Sequence, residues 1–177
     1  MPHQGRGTLL DFLAVKKYMR THELENAISS AYQNGVPMGG TLNKIKSKPS
    51  FLISALADQS DDNQYISSIQ IIKSSYGDQT LQSEVIEVLD LSDSYQLDET
   101  SCMVSGVKKK NYCSVWEDKN FKEDEDAYYY LRVISAPTCR WSHELCNQNP
   151  DFCEDHSQFP KSIQERAWTS PIWIDQN

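Results

Sequence analysis

Alternation of hydrophobic and polar positions dominates the chain from residue 49 onward. Short runs of β-branched and aromatic residues recur there, separated by clusters of Asp, Ser, Asn and Gly. This punctuation is typical of antiparallel sheets. Strands are expected at 51–57, 66–72, 85–91, 113–116, 128–135 and 168–174. The pattern therefore predicts a mainly β fold, an antiparallel β-sandwich.

Two of these strands have predicted places in their sheet. The strand at 128–135 has hydrophobic residues on both faces, which is typical of a central strand. One face would carry Tyr129, Leu131 and Val133, and the other Tyr128, Tyr130, Arg132 and Ile134. The strand at 168–174 contains Pro171, which cannot donate a ladder hydrogen bond, so it is expected at an edge or a bulge.

The first 34 residues show a different period. Apolar residues recur at spacings of three and four, and Gly35 follows where a helix would stop. These positions are Leu24, Ala27, Ile28, Ala31 and Tyr32 within a helical pattern that spans 9–34. We expect a short helical segment at 1–34, the remnant of a preceding domain, and a β-rich domain at 35–177 with a long loop at 137–160.

The five cysteines indicate disulfides rather than a metal site. Cys139, Cys146 and Cys153 lie in the loop, and Cys102 and Cys113 flank an expected hairpin. Zinc sites normally show a C-x2-C spacing, which is absent. The prediction is a Cys102–Cys113 bridge and one pair within the loop, as in proteins of oxidising compartments. An odd number leaves one thiol, or a bridge to something outside the chain.

Composition and charge exclude several classes of function. The formal net charge of −8 provides no basic surface for nucleic acid. No apolar stretch is long enough to cross a bilayer. The run at 9–15 is interrupted by Asp11 and followed by Lys16 and Lys17, which does not fit a signal peptide. A periplasmic or secreted location therefore requires an export signal upstream.

No catalytic centre can be assigned from motifs. Hydrolytic metal sites usually show paired histidines such as H-x-H or H-E-x-x-H, whereas His3, His22, His143 and His156 are scattered. The chain has neither a G-x-S-x-G elbow nor a phosphate-binding loop. We therefore expect no catalytic residue, no metal ligand and no cofactor in this chain.

Polar and aromatic residues near the end offer a binding surface. The candidates are Arg140, Trp141, Glu165, Arg166, Trp168 and Trp173. They could line a site for a sugar or an aromatic ligand. In the alternative interpretation, the tryptophans fill the core and Glu165 pairs locally with Arg166.

Five segments in order resemble a known family. They are Gly-Val-Pro-Met-Gly-Gly at 35–40, Ile-Gln-Ile-Ile-Lys at 69–73, Ala-Tyr-Tyr-Tyr-Leu-Arg-Val at 127–133, Pro-Thr-Cys-Arg-Trp at 137–141 and Ile-Gln-Glu-Arg-Ala-Trp-Thr-Ser-Pro-Ile-Trp at 163–173. From Phe12 to the end, this order resembles the C-terminal region of the bacterial domain-of-unknown-function family 3604. That family in turn resembles the metal-dependent hydrolases of the polymerase-and-histidinol-phosphatase (PHP) class, which carry a His-rich cluster in an N-terminal catalytic domain.

The resemblance implies that the chain is an accessory part of a larger hydrolase of phosphoesters or related esters. Its partner would be the missing catalytic domain, which would use a divalent metal. The residues expected to position a small anionic substrate are Arg132, Arg140, Trp141, Glu165 and Arg166. Two alternatives stay open: an autonomous sandwich that binds a carbohydrate or peptide, and a non-functional gene fragment.

Overall fold

Strands form where β-branched and aromatic residues alternate with polar ones. The computed structural model describes residues 9–15, 29, 31–153 and 160–177. Its strands are β1 (Leu9–Val15), β2 (Gly35–Pro37), β3 (Thr41–Asn43), β4 (Ser50–Leu56), β5 (Ile66–Gly77), β6 (Thr80–Asp90), β7 (Tyr95–Asp98), β8 (Met103–Gly106), β9 (Asn111–Glu117), β10 (Asp126–Ser135), β11 (Thr138–Cys139), β12 (Ser162–Ile163), β13 (Arg166–Trp168) and β14 (Ile172–Asp175). The helix α1 spans Trp141–Gln148, and short 3-10 turns lie at Ser92–Ser94 and Pro150–Cys153.

The strands form two main sheets that share one core. The four-stranded sheet has the order β2-β1-β4-β9, and the six-stranded sheet has the order β3-β14-β10-β5-β6, with β13 also paired to β10. Two small sheets, β7-β8 and β11-β12, complete the described part. The pairing of β14 with β3 is parallel, and the other described pairings are antiparallel. The predicted mainly β, sandwich-like fold is confirmed.

Aromatic rings join the two main sheets. Phe12 and Phe51, from the four-stranded sheet, stack with ring centroids 5.1 Å apart. Phe51 also contacts Tyr129, from the six-stranded sheet, at 4.6 Å. All three side chains are fully buried. Burial of each such ring stabilises the fold by about 1.5–3 kcal/mol, so this cluster is a large part of the core.

Strand β10 is central, as predicted. It pairs with β5 on one side and with β13 and β14 on the other. Burial alternates along its whole length: Tyr129, Leu131 and Val133 are buried, while the residues between them are half-buried. The period of two therefore assigned each residue of β10 to the correct face.

The last strand is not at an edge. β14 lies between β10 and β3, so of the two predicted places, an edge or a bulge, the edge was wrong. The bulge was correct, because three residues separate Trp168 from Ile172 while only two separate their partners on β10. Pro171 lies in the break between β13 and β14, where its carbonyl accepts a hydrogen bond from the Gly39 amide at 2.8 Å. Because β14 begins one residue after the proline, the missing N–H falls outside the ladder.

Residues 9–15 are a strand, so the helix expected from residue 9 was wrong there. β1 pairs with β4 along its full length and with β2. A short apolar run suits a buried strand as well as a helix, and its pairing partners decided the outcome. Residues 31–34 are helical, and buried Ala31 packs against Leu52. Leu24, Ala27 and Ile28 lie outside the described residues.

The predicted Cys102–Cys113 bridge was also wrong. Cys102 is bonded to Cys139, with Cα atoms 5.5 Å apart. Cys102 precedes β8, which pairs with β7, whereas Cys113 lies on β9, which pairs with β4. The expected hairpin between them therefore does not form. Cys146, in the loop, is also disulfide-bonded.

The loop at 137–160 contains helix α1, which the sequence did not predict. α1 is eight residues long and has exposed Trp141 at its start. Among the described residues, no helix is long and apolar enough to cross a membrane.

Candidate functional site

The outer face of the six-stranded sheet, opposite the core, carries several aromatic side chains that are exposed or half-buried. Its central row comes from Tyr128, Tyr130, Arg132 and Ile134 of β10. Strand register adds neighbours on the same face, with Tyr128 opposite Ser74 and Trp173, and Arg132 opposite Gln70 and Trp168. The pleat therefore collects aromatic and charged groups from several distant segments on one surface.

One end of the outer face is a groove, which we call the aromatic groove. Its volume is about 750 Å³. The main lining residues are Tyr76, Leu81, Asp126, Tyr128, Trp173 and Asn177. Trp173 is 46% exposed, and its ring contacts Tyr128 at a centroid distance of 5.0 Å. This contact supports the indole while leaving much of its surface open.

A tight turn builds one wall of the aromatic groove. Residues Asp78 and Gln79 join β5 to β6, and both have positive φ, 49° and 60°. Such two-residue turns match the twist of a hairpin. They place Tyr76 and Leu81 opposite each other, 53% and 65% exposed. The sequence signal was weak here, because neither turn residue is glycine.

The rim of the aromatic groove carries hydrogen-bond acceptors in fixed positions. Asp126 Oδ1 accepts the Gln176 amide at 2.8 Å, and Asp126 Oδ2 accepts Asn177 Nδ2 at 2.7 Å. The Asn177 amide donates to Asp175 Oδ1 at 3.0 Å. The charged residues lining the groove are the two aspartates. The groove is therefore apolar on its floor and negative on its rim.

Further along the outer face lies what we call the arginine patch, formed by Arg132, Arg166 and Trp168. Arg132 pairs in register with Trp168, and Arg166 lies opposite Ile134 on the same face. Arg132 Nε donates to Gln70 Oε1 at 2.6 Å. Arg166 is exposed and Trp168 is 57% exposed. Two of the five predicted binding residues, Arg132 and Arg166, are thus brought together.

Glu165 has a different environment. Its Oε2 accepts Gln64 Nε2 at 3.2 Å, and its backbone amide donates to Ser135 Oγ at 2.8 Å. Glu165 and Arg166 both line a small cavity of about 60 Å³. Glu165 has Gln64 as its side-chain partner, not Arg166 as the alternative interpretation expected.

Arg140 and Trp141 lie apart from the arginine patch. Arg140 precedes α1, where its amide donates to the Lys161 carbonyl at 2.9 Å and its own carbonyl accepts the His143 amide. Trp141 is 68% exposed. β11 and α1 follow the end of β10 that is farthest from the aromatic groove. The chain topology therefore separates this pair from the groove.

The interpretation that the three candidate tryptophans fill the core was wrong for all of them. Trp141, Trp168 and Trp173 are exposed. Trp168 and Trp173 lie on the outer face because the register with β10 sets the face of the sheet on which each side chain lies. Trp116 on β9, which was not among these candidates, packs against the core, with its ring centroid 5.7 Å from that of Phe51.

A buried charged cluster, which sequence reasoning missed, lies between the two main sheets. Lys73 Nζ is 2.7 Å from Asp118 Oδ2, which also accepts the Tyr129 hydroxyl at 2.8 Å. Burial, followed by the negative charge of Asp118, raises the pKa of Tyr129 far above its ordinary value. Lys73 interrupts the apolar run of β5 at an inward position, and this was the signal available in the sequence.

The Cys102–Cys139 bridge anchors α1 to the turn after β7. His143 Nε2 and Asn147 Nδ2 both lie within hydrogen-bond distance of the Glu99 carbonyl, at 2.8 and 2.9 Å. The two sulfurs and a ring nitrogen of His143 are within 4.8 Å of one another. Metal ligation needs thiolates, and both sulfurs are joined in the disulfide. This group therefore has a structural role.

Comparison with known proteins gives one match. The model of a family described as "Protein of unknown function (DUF3604)" matches residues 10–176. The match runs from within β1 through β14, so it includes the arginine patch and the aromatic groove except for Asn177. No curated protein and no solved structure matches the chain.

Proposed function

Because the chain belongs to the DUF3604 family, we propose that it is the non-catalytic, C-terminal β-rich part of a larger metal-dependent hydrolase of phosphoesters or related esters. In this proposal a PHP-type domain outside the chain holds the divalent metal and carries out the chemistry. The sandwich helps to hold the anionic substrate. The observation that carries the proposal is the arginine patch on an open sheet face.

The arginine patch suits an oxyanion group. A guanidinium presents paired N–H donors that match two oxygens of a phosphate or sulfate. The Nε bond to Gln70, which in turn donates to Glu87, orients the guanidinium of Arg132 before a ligand arrives. Exposed Arg166 adds a second positive charge, and the open Trp168 ring can cover an apolar leaving group.

A periplasmic or secreted location is part of the same proposal. The Cys102–Cys139 bridge and the disulfide of Cys146 support it, since structural disulfides persist mainly in oxidising compartments.

An autonomous binding module is the second candidate. The aromatic groove favours it, because a rigid, partly exposed Trp173 and Tyr128 provide a ready apolar surface. The buried cluster around Phe51 also gives the sandwich a core of its own. The two candidates differ in what the isolated chain binds: an anionic ester for the first, and a neutral ligand for the second.

The test is a titration of the full chain with 4-nitrophenyl phosphate, followed by NMR. We expect weak, saturable binding that Arg132→Gln and Arg166→Gln each reduce about 10-fold or more, because a hydrogen bond to a charged group contributes roughly 1.5–3 kcal/mol. Arg140→Gln is the matched control and should bind like the parent chain. Equal binding by all variants would refute a role for the arginine patch.

A separate assay tests whether the catalytic centre lies outside this chain. The full chain should not hydrolyse 4-nitrophenyl phosphate or 4-nitrophenyl sulfate above the blank when Mn²⁺ or Zn²⁺ is added. Turnover that depends on the added metal and survives repeated purification would show that the active site lies in this chain.

A further inference from the structure

We infer that the aromatic groove binds a neutral oligosaccharide. This inference rests on the second candidate function, for which it names the ligand class, and it is separate from the first candidate, because the groove lies at the other end of the outer face from the arginine patch. Tyr128 and Arg132 are four residues apart on the same side of β10. At the usual rise of a strand, this places them about 13 Å apart. The groove can therefore act without the arginines.

The floor of the aromatic groove fits the apolar face of a sugar ring. Pyranose rings expose a patch of C–H groups, which pack against aromatic rings. Trp173 is 46% exposed and is held by Tyr128 at a centroid distance of 5.0 Å, with an angle of 48° between the ring planes. Because Tyr128 already supports the indole, a ligand that stacks on it costs little additional side-chain entropy.

The rim of the aromatic groove fits a ligand rich in hydroxyl groups. The carboxylate of Asp126 is fixed by the Gln176 amide and by Asn177 Nδ2, and Asp175 is fixed by the Asn177 amide. Each carboxylate oxygen can accept more than one hydrogen bond, so these groups can still receive sugar hydroxyls. The described residues that line the groove include two aspartates and no basic residue, which disfavours an anionic ligand.

The dimensions of the aromatic groove fit a short chain. A volume of about 750 Å³ lies within the range of ligand sites in proteins. Tyr76 and Leu81 at the β5–β6 turn extend the apolar surface beyond Trp173 and Tyr128. A ligand that uses the whole groove therefore crosses the neighbouring strands from β14 to β6. A single small ring does not span that width.

The full chain should be titrated with neutral trisaccharides, namely cellotriose, xylotriose, mannotriose and laminaritriose, with tryptophan fluorescence and NMR as readouts. At least one should bind saturably, and Trp173→Ala should weaken that binding about 10-fold or more, as loss of a central tryptophan typically does. Trp173→Phe, which keeps a stacking ring, should restore part of it. Trp141→Ala is the matched control, because it removes an exposed indole from α1, and it should bind like the parent chain.

Circular dichroism establishes that each variant is folded before its binding is compared. No trisaccharide binding by the parent chain, or equal losses in Trp173→Ala and Trp141→Ala, would overturn the inference. So would sedimentation showing a dimer that Trp173→Ala dissociates, because a second copy would then cover the groove. Arg132→Gln should leave trisaccharide binding unchanged, so failure of the phosphate titration and failure of this inference are distinguishable.

Discussion

Replacing Lys73 with methionine would leave a carboxylate between the two sheets without its cation. Lys73 is 7% exposed and Asp118 is 2% exposed, and their charged atoms are 2.7 Å apart. In Lys73→Met, Asp118 keeps the hydrogen bonds from the Tyr129 hydroxyl and the Asn120 amide. Those neutral donors do not cancel its charge, so the buried carboxylate becomes strongly unfavourable.

The expected loss can be estimated from the burial of both partners. Removal of one member of a buried ion pair typically costs about 3–5 kcal/mol. The whole free energy of unfolding of a domain is roughly 5–15 kcal/mol. For a chain of this size, a loss of about 1 kcal/mol corresponds to roughly 2–4 °C, so the Tm should fall by roughly 6–20 °C. The additional contact of Lys73 with half-exposed Glu84, at 3.7 Å, adds little.

Urea unfolding followed by circular dichroism measures this loss. Lys122→Met is the matched control, because the Lys122 side chain is 58% exposed in its 2.6 Å pair with Glu125, and its effect should stay below about 1 kcal/mol. The double variant Lys73→Met/Asp118→Asn should recover much of the loss, since the uncompensated charge is gone. If Lys73→Met costs no more than Lys122→Met, the argument from burial is wrong.

Two further predictions concern the bridge and the buried phenol. The double variant Cys102→Ser/Cys139→Ser opens a loop with a sequence separation of 37, which should lower the free energy of unfolding by ~4 kcal/mol. The loss should appear as a lower urea midpoint, and an unchanged midpoint would contradict the prediction. Tyr129 has a raised pKa when folded, so its contribution to stability is present below about pH 10 and is lost as the pH rises beyond the unfolded value. Between about pH 9 and 11, the free energy of unfolding of Tyr129→Phe should therefore fall less steeply than that of the parent chain, and parallel curves would refute the assignment.

The sequence predicted the strands that are long enough to show a pattern. β10 alternates with a period of two along its length, and β5 contains a run rich in isoleucine although its burial does not alternate, so both were located. β2 and β3 have three residues each, too few to show any period. β1 has the composition of a strand or of a buried helix, and the presence of β4 as its partner decides between them. The pairing partner of β1 lies far away in the sequence, so the local sequence pattern could not identify β1 as a strand.

The candidate site was predicted by residue type and not by position. Arg132 and Arg166 were expected to bind an anion, but the register of β10 with β13 is what places them on one face. A shift of that register by one residue would turn Trp168 inward, so the orientation of the tryptophans could not be read from composition. The pairing of Cys102 with Cys139 could not be predicted either, because cysteine spacing alone does not fix connectivity.

The position of β14 has a consequence for how the chain folds during synthesis. β14 lies between β10 and β3, with Ile174 opposite both Ala127 and Leu42. Until residues 172–175 have left the ribosome, β3 has no neighbour in the six-stranded sheet, and buried Leu42 has no Ile174 to pair with. Pairing between segments so distant is slow, since a large loop must close first. The nascent protein therefore leaves one side of its core uncovered until β14 has left the ribosome.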